Sequence, residues 1–142
     1  MKTRFQPEHI VSGMPGIVIL SHGPMAVSMI DSAALILGSV ENIAAFALEE
    51  GDDSSAFGDA FTNAIRAFDA GALVLIDLFG GTPCNQLLYH CRQEHLNIEA
   101  LTGVNMPMLL DAVTSRSGQL SDWVQKIWEN AGDEIRNLQD LI

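Results

Sequence analysis

Three short apolar runs, GIVILS at 16 to 21, IAAFAL at 43 to 48 and ALVLID at 72 to 77, do most to limit what this chain can fold into. Each is too short for a buried helix, and none alternates between apolar and polar residues. That is the pattern of a strand covered on both faces. Parallel neighbours cannot be joined by a hairpin and need a long crossover. The gaps between the runs, roughly 20 residues each, suit such crossovers.

The intervening segments read as helices. Phe57, Ala60, Phe61, Ala64, Ile65 and Phe68 draw one apolar stripe, with Ser54 or Ser55 able to cap its start and Gly71 just past its end. Met29, Ile30, Ala33, Ala34 and Leu37 repeat the spacing between Met25 and Leu37, and Gly38 stands where a C-terminal cap belongs. A further helix runs from Pro83 to about Gln93, a weaker strand covers Ile98 to Thr102, and a short helix follows from about Met108 to Thr114. Leu120, Trp123, Val124, Ile127, Trp128 and Ala131 form a last amphipathic stripe whose two tryptophans are read as packing residues. The tail from residue 133 to 142 fits a helix or a strand equally well.

This alternation predicts an α/β fold, a doubly wound and mainly parallel four-stranded sheet with helices on both faces. Its expected strand order, numbered along the chain from GIVILS, is 2-1-3-4, the usual small doubly wound arrangement. Residues 1 to 15 stand apart as an N-terminal extension, and 16 to 142 read as a single domain.

In such sheets ligands bind beyond the carboxyl ends of the strands, where the strand order reverses. Two strand ends here carry reactive residues. The first run ends in His22-Gly23-Pro24 and the third in Asp77, followed by Leu78-Phe79-Gly80-Gly81-Thr82-Pro83. In the 2-1-3-4 order these ends adjoin, so Asp77 can fix the tautomer of His22 and leave its other nitrogen free as a nucleophile. Paired glycines, a threonine able to cap the following helix and a proline in its first turn make an anion cradle at a helix N-terminus. Each motif alone has an ordinary structural explanation; together they point to phosphorylation of His22.

Other chemistries fit less well. Ser21 and His22 are consecutive on an extended strand and point to opposite sides, which leaves Thr82 as the one available hydroxyl for a hydrolase built on His22 and Asp77. Neither GxxxxGK[ST] nor GxGxxG occurs. His90 and His95 share no helical face for a metal and read as surface residues, with His9 in a mobile terminus. Cys84 and Cys91 form no CxxC pair and read as reduced core residues of a cytosolic protein. Seven basic against eighteen acidic residues, a net charge of −11, oppose binding to nucleic acid or an anionic bilayer. The N-terminus carries no secretory h-region, and no apolar stretch is long enough to span a membrane.

The segments VILSHG, LVLIDLFGGTPCN and LTGVNMPML resemble, in order and spacing, the cytoplasmic IIA components of mannose-type (mannose/fructose/sorbose) sugar phosphotransferase systems. The resemblance covers roughly residues 16 to 116. It implies a phosphotransferase in which His22 takes a phosphoryl group on Nε2 from the carrier HPr and passes it to a IIB component for sugar uptake. It also implies that Asp77 hydrogen-bonds the histidine. Gly23, Gly81 and Thr82 would hold the phosphoryl oxygens, and Gly80 and Asn105 would border the site. Such a relay requires no metal or organic cofactor. Relatives form homodimers by exchanging a C-terminal strand, which would account for the ambiguous tail. The chain lacks the Ala/Pro-rich linker of fused members, so IIB is expected on a separate polypeptide. A regulatory phosphoacceptor and the phosphotransferase subunit of the dihydroxyacetone kinase are the alternatives with the same fold.

Overall fold

The computed structural model describes all residues from 1 to 142. The elements are β1 (Lys2–Arg4), β2 (Gly16–His22), α1 (Met25–Leu37), β3 (Ile43–Leu48), α2 (Ser54–Ala67), β4 (Ala72–Ile76), α3 (Thr82–Gln93), β5 (Ile98–Thr102), α4 (Met106–Thr114) and α5 (Leu120–Asn130). Single 3₁₀ turns cover Pro7–His9 and Leu138–Leu141.

The sheet order is β1-β3-β2-β4-β5. Its parallel part, β3-β2-β4-β5, is the anticipated 2-1-3-4 order. The sheet has five strands rather than four, because the N-terminal residues add β1 antiparallel to the edge of β3, pairing Lys2 with Ala47 and Arg4 with Ala45. Arg4 also reaches Asp31 of α1 at 2.8 Å.

The continuous apolar runs form the centre of the sheet because they are buried on both sides. Ile17 and Ile19 of β2, with Ala45, Leu73 and Leu75, face a core built from α1, α4 and α5. Val18 and Leu20, with Phe46, Val74 and Ile76, face α2 and α3, where Phe57, Phe61 and Leu87 pack. Burial of one such phenylalanine or leucine stabilises the fold by about 2 kcal/mol.

Several local expectations need correction. Asp53, not Ser54 or Ser55, caps α2: its carboxylate accepts the Ala56 N–H at 2.7 Å, while both serines already lie inside the helix. Helix α4 starts at Met106 rather than Met108, because the Asn105 side chain accepts the Met108 N–H at 2.9 Å. Trp123 is buried, with Nε1 donating to the Ala112 carbonyl at 3.1 Å, but Trp128 points outward. Cys84 is a core residue and Cys91 is exposed. In this single chain the tail is a turn and a 3₁₀ segment rather than a strand, and it leaves Ile135, Leu138, Leu141 and Ile142 in the open. No helix is long and apolar enough to cross a membrane.

Candidate functional site

The register of the sheet builds the site. Leu20 of β2 pairs with Ile76 of β4, and the Asp77 N–H donates to the Leu20 carbonyl at 3.0 Å. Both chains leave the sheet at that point, His22 ending β2 and Asp77 following β4. The order reverses here: β2 runs on to α1 and β4 to α3, on opposite faces.

Asp77 grips His22 twice with one oxygen. Oδ2 accepts the His22 backbone N–H at 2.8 Å and lies 2.7 Å from Nδ1 of the ring. Oδ1 accepts the Leu78 N–H at 2.7 Å. The carboxylate is largely buried, its side chain 9% exposed against 43% for the histidine. A buried anion with both oxygens bonded keeps a proton on Nδ1 and leaves the Nε2 lone pair directed away from the strand.

Gly81 forms the floor under that reactive edge. A Cβ at this position would lie 2.5 Å from Cε1 and 3.0 Å from Nε2 of His22, so any other residue would displace the ring. Gly80 before it takes φ +84°, and the Asn85 side chain holds the turn by donating to the Gly80 carbonyl at 3.0 Å. Gly81 occupies the N-cap position of α3 with no side-chain cap. Thr82 is therefore the first helical residue and not the cap, and its hydroxyl has no hydrogen-bond partner in the chain. The N–H groups of Gly81 and Thr82 likewise donate to nothing in the protein. A helix N-terminus carries about half a positive charge, so this edge attracts an anion.

Gly23 acts otherwise than as a free donor. Its N–H is already bonded to the Leu48 carbonyl at 2.7 Å, and its φ of +61° turns the chain from β2 into α1. Asn105 comes close through the backbone, since the Val104 N–H donates to the Ile76 carbonyl at 3.0 Å. Its side chain, however, is used to cap α4 and bonds to neither His22 nor Asp77.

Three contributors are absent from the sequence reading. Ser21 is fully buried, and its Oγ donates to the Gly23 carbonyl at 3.0 Å while accepting the Ala26 N–H at 2.8 Å. It staples the turn beside His22, a role visible in sequence only as a serine placed ahead of a helix start. Asn85 and the Leu48 carbonyl give no sequence signal at all. Beside the site in sequence, Leu78 and Phe79 are exposed, Phe79 to 81%.

The other histidines lie elsewhere. His9 and His95 are exposed, and His9 belongs to a 3₁₀ turn. His90 is buried in the seam between α2 and α3 rather than on the surface, because Gly58 makes room for its ring. No group of three His, Cys, Asp or Glu side chains is placed to share a metal ion.

A half-exposed histidine with a fixed tautomer, facing unpartnered N–H groups at a helix start, has the parts for phosphoryl chemistry. The family model described as PTS system fructose IIA component matches residues 16–135. The fructose-specific EIIA component of Bacillus subtilis (strain 168) is 26% identical over 105 residues, covering 72% of this chain and 71% of that protein. The mannose-specific EIIAB component of Escherichia coli (strain K12) is 30% identical over 103 residues, 70% of this chain. The match spans 31% of that longer protein. Among solved structures, phosphotransferase system component EIIA from Streptococcus agalactiae superposes with a TM-score of 0.83 at 28% identity, over 89% of this chain and 99% of that one. Strand order, site geometry and these matches agree, and the chain belongs to the mannose-type family of IIA components of the sugar phosphotransferase system.

Proposed function

We propose that the protein is a phosphohistidine relay in which His22 takes a phosphoryl group from phospho-HPr and hands it to a IIB component for sugar uptake. The single observation that carries this reading is the 2.7 Å contact between Asp77 Oδ2 and His22 Nδ1, which commits the other ring nitrogen to nucleophilic attack. In the forward step the Nε2 lone pair bonds to phosphorus while the donor histidine's P–N bond breaks. Nδ1 keeps its proton, and the positive charge that develops on the ring is neutralised by Asp77. The phosphoryl oxygens face the N–H groups of Gly81 and Thr82 and the Thr82 hydroxyl, donors already in place when charge moves. Transfer to IIB reverses the same displacement.

The relay operates in the cytoplasm, and the working unit is a homodimer. Support for the dimer comes from two features: the unpaired outer edge of β5 and a tail with four exposed apolar side chains. Both are surfaces that a chain ordinarily covers.

Incubation with phosphoenolpyruvate, enzyme I and HPr, followed by intact-mass measurement, tests the relay. The wild type gains the mass of one acid-labile phosphate and His22→Ala gains none. A wild type that stays unmodified under conditions that phosphorylate HPr sinks the reading.

A further inference from the structure

At the opposite end of the sheet, where β2 and β3 begin, an open cleft of about 510 Å³ lies between Met14, Val40, Val113 and the loop Arg116-Ser117-Gly118. Strand β2 separates it from His22; a seven-residue strand is about 20 Å long.

Arg116 is the unusual group in this cleft. Nη1 donates to three backbone carbonyls, Pro15 at 3.1 Å, Glu41 at 2.9 Å and Asn42 at 3.3 Å. One nitrogen therefore ties together the chain entering β2 and the chain entering β3, which fixes the plane of the guanidinium. The remaining donors, on Nε and Nη2, have no acceptor in the protein. Five of the seven Lys and Arg residues are arginines; three of the others, Arg4, Arg66 and Arg136, pair with carboxylates. Arg116 makes no such pair. Glu41 gives it a carbonyl but stays beyond ion-pair distance with its carboxylate. Burial without a counter-ion lowers the Arg116 pKa to about 10, only partly offset by the Glu41 charge.

A held guanidinium with one edge unused recognises a forked oxyanion through two parallel N–H···O bonds. Ser39 and Ser117 add hydroxyls on the rim, and Met14, Val40 and Val113 add an apolar wall. We propose that this cleft binds a small organic anion, with its carboxylate or phosphate head on the free edge of Arg116 and a short hydrocarbon portion against Val40 and Val113. Such a ligand would join the β2 and β3 entry loops to α4. It would do so without touching the phosphoryl site, and the assignment does not depend on the relay.

Calorimetry and amide NMR with two probes, inorganic phosphate and butyrate, separate the two kinds of head group. At least one probe binds saturably, with shifts centred on the N–H signals of residues 116 to 118 and on the Arg116 side chain. Ser117→Asp leaves the three carbonyl contacts in place but adds a carboxylate to the cleft, and Arg116→Lys keeps the charge but loses the fork. Each weakens binding by about tenfold or more. His22→Ala binds as the wild type does. The proposal is overturned if neither probe saturates, if the shifts map to residues 80 to 82, or if Ser117→Asp binds with unchanged affinity.

Discussion

Two histidines in this protein are seated in the same manner and end in opposite roles. His22, at the carboxyl end of the sheet, and His90, in the α2–α3 seam, each press the Nε2 side of the ring against a glycine. A Cβ on Gly81 would come within 3.0 Å of the first Nε2, and one on Gly58 within 2.7 Å of the second. Both have acidic neighbours. Asp77 stands at 2.7 Å from His22, while Asp59 and Glu94 stand 3.7 and 3.9 Å from the two nitrogens of His90.

The difference lies in what surrounds the ring. Gly81 opens a helix, so the backbone beside His22 offers unpartnered N–H groups; Gly58 lies inside α2, where the N–H groups are consumed by the helix. His22 is hydrogen-bonded and half exposed. His90 is nearly enclosed, with no partner inside hydrogen-bond range and its ring edge-on to Phe61 and Tyr89. An acid near a histidine is thus common to both regions. A fixed tautomer beside open donors occurs only in one.

The sharpest way to break this comparison is to remove the fixed tautomer. In the proposed relay, Asp77→Asn keeps the shape of the side chain but loses the charge that would hold the Nδ1 proton and neutralise a phosphorylated ring. Transfer from phospho-HPr to His22 falls by roughly 10²- to 10⁴-fold, by analogy with the loss of an orienting aspartate elsewhere, measured as the initial rate of phosphate incorporation. A rate within a factor of three of wild type would remove Asp77 from the mechanism.

Gly81→Ala asks whether the floor matters separately from the carboxylate. The added methyl must push the His22 ring outward, and a misplacement of about 1 Å costs on the order of 10²-fold in rate. The fold should tolerate it, since Gly81 has a φ of −79°, open to any residue. The expected signature is slow transfer with an unchanged denaturation midpoint. Equal losses of rate and stability would mean that Gly81 serves the turn and not the ring.

How far all this is legible in the sequence follows the kind of interaction involved. Strand runs buried on both faces are written as uninterrupted apolar residues, so β2, β3 and β4 can be read directly, whereas their order, and with it the meeting of His22 and Asp77, follows only from the usual arrangement of small doubly wound sheets. Edge strand β1 carries no such record, because Lys2, Thr3 and Arg4 pair through their backbone and stay largely in solvent. The same holds for Gly23. Its place beside the histidine is evident, but the bond from its N–H to the Leu48 carbonyl depends on a register only the folded sheet sets. The burial of His90 is hidden for a related reason. Its polar side chain gives no hint of burial, and the space it fills is made by a glycine more than thirty residues upstream.

His90→Ala completes the comparison with the smallest effect on chemistry. The ring is enclosed by Phe61, Tyr89 and the backbone of α2, so its removal leaves a void between α2 and α3 and loosens the seam behind Leu87. Truncations of this size in a packed interior cost about 2 kcal/mol or more, read as a lower urea midpoint at constant slope. Helix α3 still begins at Thr82, and Asp77 and its contacts lie at the other end of that helix. The rate of phosphoryl transfer at a temperature where the variant is folded should therefore stay within about twofold of wild type, a negligible barrier change. A tenfold loss of transfer in a fully folded His90→Ala protein would join the two regions energetically, and the distinction between a reactive and a structural histidine would fail.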